Sequence, residues 1–159
     1  MRIIGLDPGL ATTGFGVIDF IDDSPSLIEL GTINTAPQMD FAERLHSIGQ
    51  DLQSIIDEFK PDYAAVESLF FAKNTKTAIS VAHARGVLLF VLKKNLLDPK
   101  ELTPLEVKNE ICGYGQADKQ QIQKMLSLEF NLNQSSYQDD AADALAVAIC
   151  GARFFSRRF

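Results

Sequence analysis

Residues 2–7 read RIIGLD, and Pro8 and Gly9 follow at once. A short, almost unbroken apolar run ended by a turn predicts a strand buried on both faces, with Asp7 as its last residue. The next stretch, GFGVIDFI (14–21), alternates: Phe15, Val17 and Asp19 fall on one face, Ile18 and Phe20 on the other. A turn at SPS (24–26) leads into LIELGTI (27–33), so three sequential strands joined by short turns make an antiparallel meander.

Beyond the meander the period changes. Phe41, Leu45, Ile48, Leu52, Ile55, Ile56 and Phe59 step by three and four, which predicts an amphipathic helix that stops before Pro61. DYAAVE (62–67) reads as another buried strand, ending at Glu67, and Asn74 is placed to cap a long apolar helix to about Leu92. DPKEL (98–102) offers a last short strand. Thr103 before Pro104 caps a further helix, Gly113 and Gly115 break the chain, and Asp118 starts a helix with Ile122, Met125 and Leu126 inward. The final helix contains DDAADALAVAI (139–149). Strands followed by alternating helices and strands predict an α/β domain around a mixed five-stranded sheet flanked by helices.

With 159 residues, 46% of them hydrophobic, the chain is expected to bury one core. A domain over residues 1–152 and a frayed basic and aromatic tail, RFFSRRF (153–159), are expected. Since no apolar run of about eighteen residues is present, a cytoplasmic protein without membrane contact is expected. Cys112 and Cys150 lack metal-type spacing and read as reduced, partly buried thiols. The net charge of −6 argues at face value against a phosphate-rich partner. Two bound divalent cations would leave it near about −2, and the placing of Lys and Arg then matters more than the sum.

The acids form the chemical signal. Asp7 and Glu67 both end predicted strands, where α/β sheets gather functional groups. On the last helix Asp143 is three residues from Asp140 and four from Asp139, so either pair projects from one face, and spacing alone leaves the two tied. Acids embedded in IIGL, AAV and AADALAVAI need a shared cation or a cationic side chain, because an unpaired buried carboxylate is costly. Oxygen ligands without His or Cys suit a hard cation, Mg²⁺ or Mn²⁺, and two such ions about 4 Å apart suit phosphoryl transfer. Ala141, Ala142, Ala144, Ala146 and Ala148 let the last helix lie close to the sheet and bring its acids towards Asp7. His46 and His83 are single histidines on helical segments and read as packing or surface residues.

GLDPGLATTGFGVI (5–18), VESLFFAKN (66–74), HARGV (83–87), TPLEVKNEICGYGQADKQQIQ (103–123) and DDAADALAVAI (139–149) together resemble, in order and spacing, the RuvC-type Holliday-junction resolvases of bacteria. The resemblance runs from about residue 3 to residue 150. It implies a ribonuclease-H-like fold, a homodimer, and Mg²⁺-dependent endonuclease action on four-way DNA junctions, with two Mg²⁺ per subunit that Mn²⁺ can replace. RuvA and RuvB branch-migration proteins are implied as partners. By matching motif, the catalytic acids fall on Asp7, Glu67, Asp140 and Asp143. This breaks the tie in favour of Asp140 and leaves Asp139 the task of capping the helix. Lys108 and Lys119 match lysines used near the scissile phosphate and the junction backbone, Lys119 as a stabiliser of the charged transition state. Phe70 matches an aromatic that stacks on a base near the junction centre, with Phe71 beside it. Lys73, Lys76 and Arg85 are expected to add positive surface, and Gly86 to allow close helix approach in the dimer. The implied products carry 5′-phosphate and 3′-hydroxyl ends.

Three other readings compete. GLDPGLATTG (5–14) also resembles the phosphate loop of actin-like ATPases and sugar kinases, which need a second related domain to close over the nucleotide. A junction-binding module without catalysis is disfavoured by the full set of acids. YqgF-type relatives share the fold, but VKNEICGYGQADKQ (107–120) favours the RuvC type.

Overall fold

The computed structural model describes residues 1–68, 75–132 and 137–157, apart from the side chains of residues 75–77. Strands β1 (Arg2–Asp7), β2 (Thr12–Ile21) and β3 (Ser24–Asn34) form the expected meander. Helix α1 (Phe41–Phe59), β4 (Tyr63–Glu67), α2 (Thr75–Lys94) and β5 (Lys100–Leu102) follow, then α3 (Pro104–Cys112), α4 (Lys119–Phe130) and α5 (Asp139–Ser156). The five strands lie in the order β3-β2-β1-β4-β5. β1 pairs antiparallel with β2 and parallel with β4, and β4 pairs parallel with β5, so the sheet is mixed and β1 is central, as its apolar run predicts.

Side chains on the sheet alternate between two cores. Ile4, Leu6, Val17, Ala64 and Val66 face α1 and α2, whereas Ile3, Ile18, Phe20 and Ala65 face α3, α4 and α5. The same period of two turns Asp7 and Glu67 towards α5. Leu6 lies opposite Val66, so the next step of this parallel register sets Asp7 and Glu67 side by side.

The contact between α5 and the sheet is made by glycine as much as by alanine. A Cβ at Gly5 would run into the backbone of Ala144 and Ala148, and one at Gly14 into the carbonyl oxygen of Asp140. At Gly16 it would approach Leu145 Cα within 2.8 Å, closer than real Cβ atoms come. Helix α5 therefore rests on a strip of bare backbone, and Ala142, Ala144 and Ala148 in it are fully buried.

Helix starts follow local chemistry. Asp40, Thr103 and Asp118 each close a capping box, with Glu43, Glu106 and Gln121 respectively, and Pro104 occupies the first turn of α3. Asn74 lies outside the described residues. The N-cap of α5 is Gln138, which makes no side-chain capping bond, and Asp139 is the first helical residue. This corrects the expectation that Asp139 caps the helix.

Most of the expected tail is also helix. Helix α5 continues to Ser156, and Phe155 is buried and stacked on Tyr63 at 4.5 Å between ring centroids. Arg153 Nη1 donates to the Glu110 carbonyl at 3.0 Å, and Arg157 pairs with the Glu110 carboxylate at 3.1 Å. Aromatic burial and these ion pairs continue the packing of α5 past residue 152 and hold the segment against α3. Cys112 and Cys150 are free, and burial pushes both thiols up, Cys150 to about 12. Among the described residues no helix is long and apolar enough to cross a membrane.

Candidate active site

Four elements converge beyond the ends of β1 and β4. Asp7 and Glu67 end those strands, Asp140 and Asp143 occupy the first turns of α5, and Lys119 opens α4. The turn after Asp7 is closed by the buried Thr13, whose hydroxyl donates to the Gly9 carbonyl at 2.6 Å. Thr35 fixes the next residue by donating to the Leu10 carbonyl at 2.5 Å, and Arg44 Nε donates back to Thr35. These two threonines hold the turn that follows Asp7, and the sequence carries no spacing signal for them.

The electrostatics show acids that the fold does not neutralise by itself. Burial, then the nearby charges of Glu67 and Asp143, push the Asp7 carboxyl up to about 8. Asp7 and Glu67 act directly on each other across the strand ends, which raises Asp7 and lowers Glu67. Burial also raises Glu67, opposed by its interaction with Asp7 and by the positive charges of Lys108 and Lys119. Asp143 is raised by burial despite its contact with Lys119, and Asp140 and Asp139 add to the rise. Burial and crowding thus favour the protonated forms, and the Lys119 ammonium offsets part of the negative charge.

Lys119 Nζ stands 3.0 Å from Asp143 Oδ2 and 3.3 Å from Asp139 Oδ2. Burial opposes its charge, but the carboxylates of Asp143 and Asp139 outweigh that and hold the ammonium above its ordinary pKa. Asp139 Oδ1 accepts from Gln123 Nε2 at 2.9 Å. Lys119 and Gln123 are one turn apart on α4, as are Asp139 and Asp143 on α5, so two helix faces meet through matched pairs. The sequence reading missed Gln123 and this partner for Asp139. The double i, i+4 spacing was the available signal, though nothing in it says that the two helices face one another.

The structure brings Asp7, Glu67, Asp140, Asp143, Lys108 and Lys119 into electrical reach of one another. Phe70, Phe71 and Lys73 lie outside the described residues, as does the side chain of Lys76. Arg85 departs from expectation: its side chain is mostly buried and ion-paired with Glu101, so it adds little positive surface. His83 is exposed, with Nδ1 2.7 Å from the Ile79 carbonyl and its ring edge-on to Phe41, and His46 is exposed on α1.

The donor set suits a hard divalent cation. It consists of carboxylate oxygens alone, and three of the acids carry raised pKa values that a cation among them would relieve. Among the described residues no three His, Cys, Asp or Glu side chains are already gathered in a metal-holding arrangement. The Lys119 contact to Asp143 balances part of their charge.

The family model described as "Crossover junction endodeoxyribonuclease RuvC" matches residues 3–151. The chain belongs to the RuvC family. A RuvC from Natranaerobius thermophilus is 44% identical over 158 residues, covering 99% of this chain and 98% of that protein. Another, from Caldicellulosiruptor saccharolyticus, is 46% identical over 151 residues, covering 94% and 91%. The Thermus thermophilus RuvC structure in complex with Holliday junction substrate superposes with a TM-score of 0.90 at 28% identity, covering 99% of this chain and 96% of that one. The RuvC fold, ribonuclease-H-like with a mixed five-stranded sheet, is the fold expected from the sequence.

Proposed function

We propose that the chain is a structure-selective endodeoxyribonuclease that resolves four-way (Holliday) DNA junctions in recombination and repair, by paired symmetric nicks in strands of like polarity. The observation that carries this reading is the cluster of buried acids at the ends of β1 and β4 under the first turns of α5, in a chain of the RuvC family.

Asp7, Glu67, Asp140 and Asp143 would hold two Mg²⁺, or Mn²⁺ in their place, supplying an activated water and a counter-charge for the leaving oxygen. Asp7, on the central strand and flanked by Glu67 and Asp143, is best placed to serve both positions. It must give up its proton to do so. Lys119 at the rim offers a mobile ammonium to the phosphate as negative charge grows there, and Lys108 adds a second positive charge near Glu67. Phe70, with Phe71 beside it, would stack on an unpaired base, and Lys73 and Lys76 would follow the DNA backbone.

A dimer with two-fold symmetry presents the same site twice, which turns nicking into resolution. Support comes from α2, where Ile79 and Phe90 are 68% and 69% exposed and Gly86 has open space beside it. Phe90 lines an open, mostly apolar groove with Leu45, Gly86 and Val87. RuvA and RuvB are the proposed protein partners, and the cytoplasm the proposed compartment. In this reading residues 1–152, together with the end of α5 that packs on Tyr63 and Glu110, act as one nuclease domain.

The test is Asp7→Asn, which keeps the shape of the site and removes the carboxylate that would hold a cation. The variant should bind a synthetic four-way junction as the unaltered protein does and lose Mg²⁺-dependent cleavage. Substantial cleavage by the pure variant would overturn the assignment.

A further inference from the structure

Lys119 is held by two carboxylates at once. One of them, Asp143, belongs to the proposed cation site, and the other, Asp139, does not. Ammonium and cation therefore compete for Asp143. If Asp143 were the sole anchor, cation binding would leave a long, flexible side chain to solvent, and its charge would be lost from the site.

Asp139 removes that difficulty. Its Oδ1 is fixed by Gln123 Nε2 at 2.9 Å, which leaves Oδ2 directed at Lys119 Nζ, 3.3 Å away. It stands one helical turn before Asp143, so an ammonium released from Asp143 moves within a contact it already has. The Asp139 side chain is 66% exposed and that of Lys119 47%, so this ion pair adds little to fold stability. Its effect has to appear in the site.

We propose that Asp139 is a positioning residue: it parks the Lys119 ammonium beside the carboxylate cluster, which lowers the ammonium's competition for Asp143 and keeps it at the mouth of the site once a cation is bound. This rests on the reading of Asp7, Glu67, Asp140 and Asp143 as the cation site. Gln123 sets the orientation of Asp139 and shares its role.

The test is a double-mutant cycle on Mn²⁺ affinity, read by the loss of the free Mn²⁺ electron paramagnetic resonance signal on titration into DNA-free protein. In Asp139→Asn, Lys119 has Asp143 alone to pair with, and Mn²⁺ affinity should fall about two- to fivefold, the weight of one partly exposed ion pair. Lys119→Met removes the competitor and should raise it by a similar factor. In the Lys119→Met background, Asp139→Asn should then have little further effect. Gln123→Ala should shift affinity in the same direction as Asp139→Asn, and Asp139→Glu should restore most of the loss.

An equal fall on Asp139→Asn with and without Lys119 would show that Asp139 acts as bulk negative charge, and would overturn the proposal while leaving the cation site standing. Unchanged Mn²⁺ affinity in Asp139→Asn would overturn it too. Absence of any Mn²⁺ binding by the unaltered protein would overturn the cation-site reading and this proposal with it.

Discussion

Asp7 keeps at neutral pH a proton that a solvated aspartate would have lost, because burial and the charges of Glu67 and Asp143 push its carboxyl up to about 8. Its unfolded value is about 3.9, so the folded state favours the protonated form. That contribution to stability is complete below about pH 4 and is lost as pH rises through the folded value. Each pH unit of the window costs up to about 1.4 kcal/mol. Without divalent cations, Asp7→Asn should therefore be more stable than the unaltered protein at pH 8, with the gap closing towards pH 4. Mg²⁺ should close the gap at pH 8 by stabilising the unaltered protein. Urea denaturation at several pH values checks this, and a gap independent of pH would contradict it. The same residues show where sequence reading stopped. Asp7 and Glu67 could be placed from strand ends alone, but dividing Asp139 from Asp140 required the family motif. Even then Asp139 received the wrong task, since spacing does not reveal that Gln138 starts α5 or that α4 faces it.

Among the elements, α5 decides the site, since its distance from the sheet sets how near Asp140 and Asp143 come to Asp7. Gly5→Ala and Gly14→Ala both drive a methyl into the α5 backbone, the first at Ala144 and Ala148, the second at Asp140. Each should destabilise the fold by about 1–3 kcal/mol or more and reduce cleavage, because backbone cannot turn aside as a side chain can. Gly86→Ala, where an added Cβ would meet no atom of another element within 4 Å, should leave the stability of the folded chain unchanged or raise it by up to about 1 kcal/mol. Thermal unfolding of the three variants compares them directly. Strand and helix periods made the elements themselves legible: RIIGLD (2–7) as the central strand, the three- and four-residue steps from Phe41 to Phe59, and Thr103-Pro104 as a helix start. The alanines of α5 were legible as a packing strip, but their glycine counterparts on β1 and β2 were not. A glycine in a strand says nothing about what it faces until the helix is docked. The end of α5 was misjudged for a related reason: Arg153 and Phe155 look like a loose basic and aromatic tail until Glu110 and Tyr63 are found beside them.

At the scale of the whole molecule, the net charge of −6 and the proposed DNA substrate are reconciled by where the acids lie. Asp7, Glu67, Asp140 and Asp143 are concentrated at the proposed cation site, where bound cations would reverse the local field that DNA meets. Resolution also needs two sites in fixed relation, and the outer face of α2 is the surface proposed to meet a second copy. Phe90→Asp should yield monomers by sedimentation, because a charge replaces an aromatic side chain that is 69% exposed in the single chain. Those monomers should fold normally and lose paired nicking, whereas a variant that stays dimeric would place the interface elsewhere. The central claim, junction resolution by this carboxylate site, is tested most directly by mapping nicks in a synthetic four-way junction and a matching linear duplex, with and without Mg²⁺. The account predicts symmetric nicks in two strands of like polarity, in the junction alone and in the presence of Mg²⁺ alone; equal cutting of the duplex, or cutting that persists after chelation of the metal, would contradict it.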